Sequence, residues 1–178
     1  MTSVKGKWAI DPMHSEIQFK VKHLVISTVT GSFTAFDGTV DADGEEFEGA
    51  KVAFTADTAS VTTNNSDRDG HLKSGDFFDA ETYPKLSFES TSFTKTGDDE
   101  YELKGNLTIK DVTKEVSLKV EHGGIMVDPY GNTKAGFEIS GKVNRKEYGL
   151  NWSAVTEAGG VVVGDDVKLL LNVQVAKQ

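Results

Sequence analysis

The chain contains no cysteine. That excludes a disulfide framework and a thiolate metal site together. No apolar run approaches the ~18–20 residues that a membrane-spanning helix needs. There is no P-loop, no G-x-G-x-x-G fingerprint and no G-x-S-x-G nucleophile elbow. Positive charge is in deficit: 19 Lys and Arg stand against 28 Asp and Glu, a net charge of −9. This balance repels phosphate backbones and anionic headgroups, so nucleic-acid and membrane-surface roles are disfavoured. The 4 histidines, His14, His23, His71 and His122, are scattered and form no H-E-x-x-H pair, so no metal is expected. Nothing calls for a cofactor. The stretch Met1–Trp8 has no apolar leader core and no small-residue cleavage site, and the expected location is cytoplasmic.

What the chain does have is strict alternation. Ile17, Phe19, Val21 and His23 share one face of a strand, with Glu16, Gln18, Lys20 and Lys22 on the other. Val29, Gly31 and Phe33 are followed by Phe36, Gly38 and Val40 in the opposite parity, which places a bulge or kink between Phe33 and Phe36. Further rows run through Ala50–Ala56, Leu86–Ser90, Tyr101–Ile109, Val116–Val120, Ala135–Val143 and Val167–Val175. Asp43-Gly44, Thr96–Asp99, His122-Gly123-Gly124 and Tyr130-Gly131-Asn132 read as turns between them. The rows and short connections predict an all-β fold. It is a single extended antiparallel up-and-down β-barrel of about eight strands, since closure removes exposed edges. One domain, residues 1–178, accounts for the length.

Gly31, Gly38, Gly105 and Gly141 fall in phase with the inward apolar rows. A solid core wants volume at such positions. They fit either a hollow, apolar lumen or the relief of strain at barrel corners, and the two readings stand level here.

Two stretches break the alternation. Asn65–Phe78 has a helix-capping start and reads as a short helix, with Gly70 inside it costing about 1 kcal/mol against Ala. Its Arg68, Asp69 and His71 are the densest polar group in the chain. They read either as a gate at the barrel mouth or as a capped helix with local pairs. Asn144–Ala158 carries Arg145, Tyr148, Leu150 and Trp152. One or two short helices covering the barrel ends are expected from these stretches. His122 is placed in an exposed glycine turn, and Lys20 and Lys22 read as outward charges that discourage edge pairing.

Several motifs resemble the YceI-like polyisoprenoid-binding family. They are Asp11–Ser15 with Ile17-x-Phe19-x-Val21-x-His23, then Asn65-x-x-Arg68-Asp69-x-His71-Leu72-x-Ser74-x-Asp76–Asp79 and Tyr83-Pro84. Gly105-x-Leu107-Thr108-Ile109, Asn144-Arg145 with Tyr148–Leu150, and Val163–Val167 continue it over nearly the whole chain. The sequence departs at Gly70 and Glu115, where a larger helix former and a proline are expected, and in lacking the leader of periplasmic members. The resemblance implies a lipocalin-like barrel around an elongated apolar pocket for a long isoprenoid or fatty chain. Phe19, Phe33, Phe54, Phe88, Leu107, Phe137, Ile139 and Leu169 are then the expected lining. His23, Arg68, His71, Tyr148 and Trp152 are the expected mouth. The partner is a long-chain isoprenoid or fatty lipid, bound without catalysis and without membrane insertion; a homodimer is left open. Two alternatives stand beside it: an enzyme on such a lipid using His71 and Asp69, and a filled barrel serving as an interaction module.

Overall fold

The computed structural model describes residues 3–24, 26–152 and 163–178. Eleven strands run as β1 Gly6–Ile10, β2 Glu16–His23, β3 Ser27–Phe33, β4 Phe36–Ala42, β5 Lys51–Asp57, β6 Val61–Thr62, β7 Lys85–Gly97, β8 Glu100–Ile109, β9 Val112–Val127, β10 Thr133–Asn144 and β11 Val163–Lys177. Among the described residues there is one α-helix, α1, spanning Ser66–Lys73. The strands form one antiparallel sheet that closes where β1 and β2 both pair with β11.

Three of the eight barrel staves are broken in two. A 3₁₀ turn at Pro12–His14, capped by the Asp11 carboxylate, separates β1 from β2. A bend at residues 34–35 separates β3 from β4, at the position of the parity change. A 3₁₀ turn at Thr58–Ser60 separates β5 from β6. Each pair of halves continues one stave, so the barrel is a closed eight-stranded meander. Closure leaves little free edge. The exception lies between β6 and β7, which make no ladder among the described residues. Residues 63–84 fill that gap.

The inward glycines do face in, but their room is taken. A Cβ on Gly31 would overlap the Phe19 ring, one on Gly105 the Phe88 ring, and one on Gly141 the Leu118 side chain. Phe19 sits directly opposite Gly31, and Phe54 opposite Gly38. Each glycine thus lets a large neighbour lie flat against the wall.

The segment His122-Gly123-Gly124 is not a turn. β9 runs through it, and Gly123 is the extra residue of a bulge between the His122–Phe137 and Gly124–Gly136 pairs. Glycines serve bulges as readily as turns, and Gly124 has φ +125°. His122 is accordingly not an exposed turn residue. Its ring stacks on Phe137 at 4.9 Å and meets Phe47 edge-on at 5.3 Å. Together with Trp8 they close one end of the barrel. That end also holds the β4–β5, β7–β8 and β9–β10 connections.

Candidate functional site

A cavity of about 670 Å³ runs inside the barrel, from Phe93 and Phe137 near the closed end to His71 and Trp152 at the other. Phe19, Val52, Phe54, Ile139, Val167, Leu169 and Leu171 point inward yet stay only partly buried. Their remaining accessible surface faces this cavity. A filled barrel of the same pattern would bury them fully, as interiors pack to crystal density.

Of the expected lining residues, Phe19, Phe33, Phe54, Phe88, Leu107, Phe137, Ile139 and Leu169 all border the cavity. So do the expected mouth residues His23, Arg68, His71 and Trp152. Tyr148 does not. It is 1% exposed at the end of the 3₁₀ turn Arg145–Tyr148, and burial pushes its hydroxyl pKa up. The turn ends at Gly149, whose left-handed φ of +81° caps it.

The mouth is built largely by α1 and the chain after it. Asn65 caps the helix, accepting from the Arg68 N–H at 3.0 Å. The Asp69 carboxylate accepts from the Thr63 N–H at 2.7 Å and its hydroxyl at 2.6 Å. Burial raises the Asp69 pKa, but these bonds outweigh it and leave the carboxyl below its ordinary value. Arg68 donates to the Thr63 hydroxyl and carbonyl at 2.7 and 2.9 Å. The polar group is therefore a capped helix clamped to Thr63. His71 Nε2 lies 2.8 Å from Asp76 Oδ2, not against Asp69, so the paired acid and base of the enzyme alternative are not brought together. The His71 ring packs edge-on against Phe77 at 5.0 Å and Trp152 at 4.7 Å. His71 and Trp152 are partly exposed and Phe77 is buried beside them, and the three rings form the lid at this end of the cavity.

The expected lining and mouth residues leave out three contributors, although Phe77 and Phe78 fall in the first stretch expected to cover a barrel end and Arg145 in the second. Phe77 and Phe78, directly after α1, are buried and line the cavity. Arg145 is 5% exposed and donates to the Leu150 carbonyl at 2.6 Å, Trp152 at 2.7 Å and Gly164 at 2.8 Å. It ties the ends of the β10–β11 connection together and lies over the Phe77 ring. Burial lowers its pKa. Residues 153–158 of the second expected cover lie outside the described residues. Among the described residues no three His, Asp or Glu groups gather in a metal-binding arrangement. No described helix is long and apolar enough to cross a membrane.

The YceI-like domain model matches residues 8–175. The chain belongs to the YceI-like family. A UPF0312 protein of Staphylococcus aureus (strain bovine RF122 / ET3-1) is 40% identical over 162 residues, covering 90% of this chain and 92% of that one. The YCEI protein of Campylobacter jejuni superposes with a TM-score of 0.74 at 34% identity, over 88% of this chain and 90% of that one. A polyisoprenoid binding domain from Saccharophagus degradans has the same fold, with a TM-score of 0.66 at 14% identity, covering 96% and 98%. The YceI-like barrel is thus closed, eight-stranded and antiparallel, as the alternation predicts.

Proposed function

We propose that this YceI-like protein binds and carries a long-chain apolar molecule, an isoprenoid quinone, polyprenyl or fatty lipid, inside the barrel without transforming it. The carrying observation is the ~670 Å³ cavity walled by apolar side chains along the length of the barrel. Each methylene buried there contributes about 0.8 kcal/mol, so a chain of about ten offsets an association cost of several kcal/mol. The name of the Saccharophagus relative points to the same chemistry. Arg68 and Asp69 are occupied by Thr63, which favours binding over catalysis.

Two measurements test this. Denaturing mass spectrometry of an organic extract of the purified protein should return an unmodified lipid. Ile139→Phe and Val167→Phe, which add volume at partly buried cavity positions, should reduce uptake of a fluorescent polyprenyl probe while leaving the melting temperature unchanged or higher. Undiminished uptake by both variants, or none by the wild type, overturns the reading. Chemical turnover of the lipid, lost in His71→Ala, would establish the enzyme alternative instead.

A further inference from the structure

The outer face of the barrel beside the mouth carries an arrangement that folding alone does not favour. Lys142 on β10 stands directly opposite Lys168 on β11, and Lys168 directly opposite Lys20 on β2. Like charges in direct cross-strand pairs destabilise a sheet. Lys22 continues the patch one step nearer the mouth, donating to the Thr28 hydroxyl at 3.1 Å. Lys142 has Asp166 at 3.2 Å. Among the described residues no carboxylate lies within 4.0 Å of Lys20, Lys22 or Lys168. This row of cations sits on a chain whose net charge is −9.

A second feature adjoins it. The β2–β3 tip exposes Leu24 at 42% and Ile26 at 88%. Leu24 holds φ +54°, a left-handed conformation that leucine rarely adopts. The residue before it, His23, pairs with Val163 and lines the cavity. The apolar tip, the lysine row and the mouth therefore share one corner of the barrel.

We propose that this corner, the upper outer face of β10, β11, β2 and β3 with the β2–β3 tip, docks the protein on an anionic lipid bilayer and presents the mouth to it. The proposal rests on the barrel carrying an apolar lipid, whose reservoir is such a bilayer. Lysines supply attraction to anionic headgroups, and Leu24 and Ile26 seat at the headgroup boundary without spanning the membrane. The overall negative charge does not forbid this. Salt screens it beyond about 8–10 Å, while the lysine row acts at contact.

The test is co-sedimentation of the full chain with phosphatidylcholine vesicles, with and without phosphatidylglycerol. Binding is expected only to the anionic vesicles and to weaken with salt. Each lysine contributes roughly fivefold, so Lys20→Gln with Lys168→Gln should weaken binding about 25-fold. Removing like-charge neighbours should leave the melting temperature equal or higher, which separates lost docking from lost folding. Ile26→Ser, at an exposed position, should also weaken binding. Equal binding to neutral vesicles, no vesicle binding, or an unaffected lysine variant overturns the proposal. So does lysine-dependent binding of soluble polyglutamate without vesicle binding, which would make the face a protein contact. Probe uptake measured without vesicles keeps the two readings apart. Uptake without docking overturns only this proposal, and docking without uptake overturns only the carrier function.

Discussion

The two ends of the barrel are built by different physics. At the floor, the Phe47 ring meets Trp8, His122 and Phe137 at 5.5, 5.3 and 5.0 Å, and both Phe47 and Trp8 are 1% exposed. On the same half, Lys134 bridges Asp11 at 2.6 Å, with both side chains largely shielded. At the mouth, an eight-residue helix without a buried residue supports a lid whose His71–Asp76 pair is solvent-exposed. Packed apolar contact closes one end. At the other, the contacts of His71 with Phe77 and Trp152 are held by helix caps and local hydrogen bonds, and such segments open at lower cost than a core. The proposed carrier function calls for such an asymmetry.

The largest effects should follow from removing each closure in turn. Phe47→Ala should cost about 3–5 kcal/mol in urea unfolding, as deletion of a fully buried aromatic does. Trp152→Ala removes a half-buried ring and should cost roughly half the ~1.5–3 kcal/mol of a fully buried apolar side chain. Equal losses at the two ends would erase the distinction.

Acid should also act on the floor first. Burial leaves the His122 imidazole below its ordinary pKa, partly countered by Asp99, and its Nε2 has no hydrogen-bond partner. Its unfolded form takes a proton more readily, so the stability it contributes is present above pH 6.5 and is lost as pH falls below that value. Lys134 and His14 lower the Asp11 carboxyl from 3.8 to about 2. Stability from that group is present above pH 3.8 and is lost as pH falls toward 2. That shift corresponds to up to about 2 kcal/mol. In pH-dependent unfolding, His122→Leu should flatten the upper window and Asp11→Asn the lower one. Unchanged profiles would show that acid sensitivity resides elsewhere.

The sequence makes the staves legible because alternation is a direct print of the pleat. Phe47 escapes that reading, since it lies in the irregular connection from Asp43 to Ala50, where no period exists. Arg145 is visible as a residue but not as a clamp, because its acceptors are main-chain carbonyls that no side-chain pattern displays. The facing of Gly31, Gly105 and Gly141 is readable. Its consequence is not, because whether a gap is filled depends on the cross-strand neighbour: a leucine at Gly105 would drive into the Phe88 ring and the Glu89 carbonyl. The mouth residues come from three separate stretches, at His23, at Arg68 with His71, and at Trp152. The last two are legible because those stretches break the alternation, whereas the burial of Tyr148 away from the cavity is set by packing that no pattern displays.

The smallest effect concerns the lid alone. Gly70 lies in the middle of α1, is exposed, and lacks the left-handed φ that would require glycine. A Cβ there meets nothing within 4 Å. Alanine should therefore stabilise the helix by about 1 kcal/mol through lost unfolded-chain freedom. An isolated helix this short is marginal in water, so the gain belongs to the lid's own opening equilibrium. Gly70→Ala should slow amide hydrogen exchange across α1 roughly fivefold for that ~1 kcal/mol, leave exchange around Phe47 unchanged, and slow probe uptake. If floor amides slow equally, lid and floor open as one unit and the asymmetry of the barrel fails. If α1 exchange and probe uptake slow together while the floor is unchanged, opening of the helix and uptake are coupled.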